Sequence, residues 1–125
     1  DLSAGVNLAF DAEIYDTDDI HDLVTNNSRL TVPAGVTRII VTGQVGLTLV
    51  TTGAVEVLKF FKNGAGLNPA IENRMEIANT GPALQLVSFV LEVVAGDYFE
   101  LNILCTDTSV TVNVARTWFA MEIVE

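Results

Sequence analysis

The residues Asp16-Thr17-Asp18-Asp19-Ile20-His21-Asp22 hold the densest set of side chains able to bind a metal or move a proton in this 125-residue chain. Calcium takes roughly six to eight oxygen ligands, which an Asp-rich loop can supply. The Asp16, Asp18 spacing opens like an EF-hand loop, but the glycine and the closing glutamate of that motif are absent. Two readings of the run follow: a solvated acidic loop, or a calcium site built from Asp16, Asp18, Asp19 and Asp22. His21 is the single histidine. A zinc ion would need more ligands than one chain offers, so His21 reads as an ordinary loop histidine or, with Tyr15, as a ligand contact. Tyr15 and Trp118 present ring faces that suit sugars, although Trp118 falls in an apolar run where packing is the ordinary role of an indole.

No arrangement for catalysis accompanies these groups. There is no Gly-x-Ser-x-Gly elbow, no phosphate loop and no Ser/His/Asp set. Paired carboxylates can hydrolyse glycosides, but one acidic loop is no evidence of such a pair, and the chain reads as a non-enzyme. Cys105, the lone cysteine, excludes an intrachain disulfide and a cysteine zinc cluster. Its position after Ile103-Leu104 predicts a buried, inert thiol.

Charge and composition narrow the partners. Six Lys and Arg against sixteen Asp and Glu give a net charge of -10, which repels nucleic acid and anionic lipid. Half of the residues are hydrophobic, yet no apolar run approaches the roughly 18 residues of a membrane-spanning helix, and no leader-like segment opens the chain. The apolar excess needs cover, and contact with further copies of the chain supplies it. The acidic charge would keep such an oligomer dissolved.

The elements that must position these residues are strands. β-Branched residues dominate and turn signals recur at short intervals, the pattern of an all-β sandwich or barrel. No linker or repeat divides the chain, so residues 1–125 read as one domain. The pattern predicts strands over 6–10, 29–32, 36–50, 55–62, 70–78, 84–94, 98–105, 110–114 and 116–124, with 11–27 a long polar loop. Pro33 ends the second strand because it lacks an N–H. Gly43 and Gly46 inside the third mark a bulge or a close backbone approach. Asn63-Gly64 is a strong hairpin signal, since both central turn residues need positive φ.

The faces of the strands carry more information. Phe99, Leu101, Ile103 and Cys105 share one side and Tyr98, Glu100 and Asn102 the other, as in a half-buried strand. Val55, Val57 and Phe61 oppose Leu58 and Phe60, and Leu84 and Leu86 oppose Val87, Phe89 and Leu91. Strands apolar on both faces must be covered on both. Thr117 to Glu125 alternates almost to the last residue, and a terminus this apolar is expected to be an internal strand, with Trp118 packed in the core or between subunits. Leu58, Phe60, Phe61, Phe89, Tyr98, Trp118, Phe119 and Met121 are the predicted core or subunit contacts.

Four segments in this order resemble the C1q and tumour-necrosis-factor-like superfamily. They are Ser28-Arg29-Leu30-Thr31-Val32-Pro33-Ala34-Gly35-Val36, Phe60-Phe61-Lys62-Asn63-Gly64, Leu91 to Leu101 with its Ala95-Gly96-Asp97 turn, and Trp118-Phe119-Ala120-Met121-Glu122. The resemblance implies a two-sheet antiparallel jelly roll of about ten strands, assembled as a homotrimer. The animal members' cysteines are missing, and the chain is more similar to the C1q-type modules of bacteriophage tail fibres, virion decorations and bacterial surface proteins. That likeness implies a virion location, on a tail fibre or capsid surface, with other virion or fibre proteins and a host surface glycan or protein as partners. The alternative it implies is the receptor- or carbohydrate-binding head of a bacterial adhesin at the cell surface. Some members bind calcium near the trimer axis, which bears on the Asp16 to Asp22 loop.

Overall fold

The computed structural model describes every residue except Tyr15, Asn68 and Pro69. The chain is all-β, with nine strands and one short 3₁₀ turn among the described residues. The strands are β1 (Val6–Asn7), β2 (Arg29–Thr31), β3 (Arg38–Val50), β4 (Val55–Lys62), β5 (Ala65–Gly66), β6 (Glu72–Glu76), β7 (Gly81–Glu92), β8 (Tyr98–Cys105) and β9 (Trp118–Ile123). They form two antiparallel sheets. In the larger sheet, β8 lies between β4 and the short β1 and β2, and β4 also carries β5 and β6. The smaller sheet has the order β7-β3-β9.

The four longest strands alternate between the sheets in chain order: β3 in the smaller, β4 in the larger, β7 in the smaller and β8 in the larger. Their facing sides make the core. Leu58 and Phe60 from β4 and Phe99, Leu101, Ile103 and Cys105 from β8 meet Ile39, Val41, Val45 and Leu47 from β3. Each such side chain contributes about 1.5–3 kcal/mol when fully buried. Phe119 and Met121 of β9 close one flank, where the Phe119 ring packs at 5.9 Å from Phe60 and 6.0 Å from Phe10.

Gly43 in β3 is a close-approach glycine: a Cβ there would lie 2.5 Å from Leu101 Cδ1. The bulge of β3 falls instead between Leu47 and Val50, where Leu49 takes φ +25°. Asn63 and Gly64 take φ +52° and +83° and join β4 to β5, as their residue types require.

Three expectations are corrected. The chain's last strand is not internal: β9 is the edge of the three-stranded sheet and pairs, among the described residues, with β3 alone. The N-terminal strand that could have flanked it pairs with β8 in the other sheet, Val6 opposite Ile103. Residues 110–114 form no strand. They give one isolated bridge, Val112 to Leu47, before the 3₁₀ turn Val114–Arg116 capped by Asn113. The first strand is also shorter than expected, ending at Asn7 instead of residue 10.

Candidate functional site

The acidic loop is organised by its own backbone. Asp16 accepts hydrogen bonds from the amides of Asp18 (3.2 Å), Ile20 (3.0 Å) and His21 (2.8 Å), so both of its oxygens are engaged. Partial burial pushes its pKa up, but those amides outweigh burial and hold it below the usual carboxylate range. Asp22 accepts from the amides of Thr25 and Val24, which likewise lower its pKa. Asp18 accepts from the Thr17 hydroxyl, and Asp19 takes φ +54°. Among the described residues no group of three or more His, Cys, Asp or Glu converges as a metal site. Asp16, Asp18, Asp19 and Asp22 therefore lie along one loop without sharing a centre. Tyr15, the expected ligand contact, lies outside the described residues.

His21 is a brace. Its Nδ1 lies 2.9 Å from Glu13 Oε1 and its Nε2 lies 2.9 Å from the Asn27 carbonyl oxygen, and its side chain is almost fully buried. Both neighbours are hydrogen-bond acceptors, a carboxylate on one side of the ring and a backbone carbonyl on the other. The backbone beside it bridges to Leu30. These contacts tie the long loop to β2 and leave His21 little freedom to meet a ligand.

A cleft of about 400 Å³ opens between this loop and β9. Phe10, Ile20 and Leu30 line it from the loop side, and Trp118, Phe119 and Met121 from β9. Trp118 is 40% exposed, so the indole stands at the rim, at the sheet edge and not within the core. A second depression, bounded by Arg38, Lys62, Glu92 and Asp97, holds opposed charges that are already paired. Lys62 Nζ lies 2.8 Å from Asp97 Oδ2, and Arg38 lies 3.2 Å from Glu125 and 4.0 Å from Glu92.

Asp97 itself joins two of the sequence motifs. Asn63 Nδ2 donates to Asp97 Oδ1 at 2.9 Å, the Val94 amide donates to Oδ2, and the Tyr98 amide donates to Asn63 Oδ1. Burial raises the Asp97 pKa, yet Lys62, Asn63 and the Val94 amide together bring it below the ordinary value. The Lys-Asn-Gly hairpin and the Gly-Asp turn thus form one polar knot at the end of the sandwich.

The two outward sheet faces differ in cover. On the larger sheet the Arg29 guanidinium lies 4.0 Å from the centre of the Tyr98 ring and the Lys59 ammonium 5.3 Å from that of Phe61. Long basic stems therefore shield the half-buried Tyr98 and Phe61. On the smaller sheet Leu84, Leu86 and Val90 of β7, Ile40 of β3 and Trp118 of β9 face out, with Gln44 between Leu86 and Trp118, Glu122 beside Ile40, and the hydrogen-bonded Thr42 and Ser88 between the two rows. Leu84, Leu86, Val90 and Trp118 there are 49%, 48%, 50% and 40% exposed. Phe89 points to the opposite face yet is 49% exposed.

One chemically notable residue escaped the sequence pattern. Glu56 alternates in phase with Leu58 and Phe60, so its carboxyl enters the core, with 0% exposure. Neither of its oxygens has a hydrogen-bond partner, and the buried Gln85 Oε1 also lacks one. Gln85 Nε2 donates to the Glu56 carbonyl at 3.2 Å, which holds the two side chains in one neighbourhood. Burial pushes the Glu56 pKa up to about 7, and Cys105, opposite Glu56 across the ladder, is pushed up by burial as well. The only advance signal was one polar residue at an inward position of an otherwise apolar strand.

Comparison with known proteins adds no identity: no family model matches the chain, and no curated protein aligns with it.

Proposed function

We propose that this chain is a non-enzymatic structural subunit that assembles into a homotrimer through the bare outer face of β7, β3 and β9. In this reading it is a C1q/TNF-like jelly roll serving as a virion decoration or fibre head. The observation that carries the reading is the asymmetry of cover. Basic side chains shield the aromatic residues of the larger sheet, whereas Leu84, Leu86, Val90 and Trp118 stand about half exposed on the smaller one. Several large apolar side chains exposed on one sheet face mark an interaction surface. Two antiparallel sheets with the longest strands alternating between them support the jelly-roll reading. Similarity of the four ordered segments to C1q-type phage modules supports the virion role, and contact with a host surface falls in this reading to loop 11–27.

Light scattering coupled to size exclusion tests it. The wild-type chain is expected at three times its monomer mass, and Leu86→Lys, which sets a charge in the middle of the face, is expected at the monomer mass with unchanged circular dichroism. A wild-type monomer at micromolar concentration overturns the assembly reading.

A further inference from the structure

We propose that the free edge of β9 is a strand-addition site that takes an extended, basic segment of a partner protein. The two edges of the smaller sheet are treated differently. The β7 edge is occupied in part by β6, whose Asn73 Nδ2 donates to the Leu86 carbonyl at 3.2 Å, and β7 carries Pro82 near its start. The β9 edge, Trp118–Ile123, has no backbone partner on its outer side among the described residues. It carries no Pro, no Lys and no bulge, three of the devices that blunt an exposed edge, and Glu122 is its single charged residue. In an antiparallel ladder every second residue turns its N–H and C=O away from its partner strand. Those groups of β9 face outward, ready to pair.

The cleft of about 400 Å³ runs beside that edge and gives the site depth. Its apolar walls, Phe10, Ile20, Leu30, Phe119 and Met121, suit the alternate side chains of an added strand, the usual source of specificity in strand addition. Charge selects the occupant. The lining includes Glu13, in contact with His21, and Asp16, which keeps its charge while accepting from three backbone amides, but no Lys or Arg, and the chain as a whole carries -10. A segment alternating apolar and Lys or Arg residues places its apolar side in the cleft and its cations beside the acidic loop.

The test uses the intact chain and its single tryptophan, Trp118, which stands in the cleft wall. An eight-residue peptide of alternating valine and lysine is titrated at one fixed protein concentration. A saturable blue shift of Trp118 emission is expected. The same peptide N-methylated at alternate residues, which cannot complete the ladder, is expected to bind at least about tenfold more weakly. So is the valine–glutamate counterpart. Ile14→Lys, at an exposed position on the cleft rim, is expected to weaken the lysine peptide several-fold without altering the fold. Absence of a shift with the lysine peptide overturns the proposal. Equal binding of the N-methylated or the glutamate peptide overturns it too, because neither ladder pairing nor charge would then be the basis of recognition.

Discussion

Replacing Glu56 by Gln should stabilise the protein at neutral and alkaline pH and leave it almost unchanged in acid. The carboxyl sits in the core with no hydrogen-bond partner, and burial raises its pKa from 4.5 to about 7. A carboxylate whose pKa is higher in the folded state binds its proton more tightly there than in the unfolded chain. Its ionisation therefore begins to cost stability above pH 4.5, and the cost is complete above about pH 7. At about 1.4 kcal/mol per pH unit, the gap amounts to about 3 kcal/mol. Glutamine has the same shape and carries no charge at any pH. Urea unfolding of both proteins at pH 4, 5.5, 7 and 8, at equal concentration, measures the difference. Groups common to both cancel, and Cys105, raised further by burial from an ordinary value of 9.0, stays protonated across this range. The expected midpoint difference is near zero at pH 4 and grows until it levels off above about pH 7. A Glu56→Gln protein equally or less stable than wild type at pH 8 would refute the reasoning, since the carboxylate would then have found a partner in the native state.

Other perturbations follow from the same geometry. Asp97→Ala removes the acceptor shared by Lys62, Asn63 and the Val94 amide and should cost about 2–3 kcal/mol, read from urea melts at pH 7. Because the Asp97 pKa is depressed below 3.8, its contribution is present above that value and fades as pH falls through the folded pKa. Combined with Glu56, this places the wild-type stability maximum at about pH 4–5, which thermal melts across pH will locate. Gly43→Ala drives a methyl against Leu101 at 2.5 Å and should cost about 1–3 kcal/mol in urea melts, whereas Gly35→Ala, with nothing within 4 Å, should cost only backbone strain. His21→Leu removes both contacts of the loop brace and should cost about 1–2 kcal/mol, with faster amide exchange at Ile20 and Thr31 as the local signature.

The sequence by itself determined that the chain is built of strands and where most of the long ones lie. Long β-branched runs bounded by Pro33, Asn63-Gly64 and Ala95-Gly96-Asp97 specified β2, β3, β4, β7 and β8 nearly at their observed limits, because turn chemistry and period-two alternation are local properties. Inward faces were legible for β8, where alternation is clean. The buried Cys105 thiol followed for the same reason.

Only the tertiary structure decided which strands are neighbours, and that changed the reading of the candidate surfaces. The apolar content of Trp118–Ile123 is the same at an edge as in the middle of a sheet. Its edge position is a matter of long-range pairing, with β3, about eighty residues earlier in the chain, as its neighbour on one side. Likewise, both faces of β4 and of β7 read as apolar, yet Arg29 and Lys59 shield one outer face and, among the described residues, no cation lies over Trp118 on the other. Glu56 shows the limit most plainly: its inward phase was present in the alternation, but the missing donor is a fact of three-dimensional packing. Local periodicity states which way a side chain points; only long-range pairing states what it meets there.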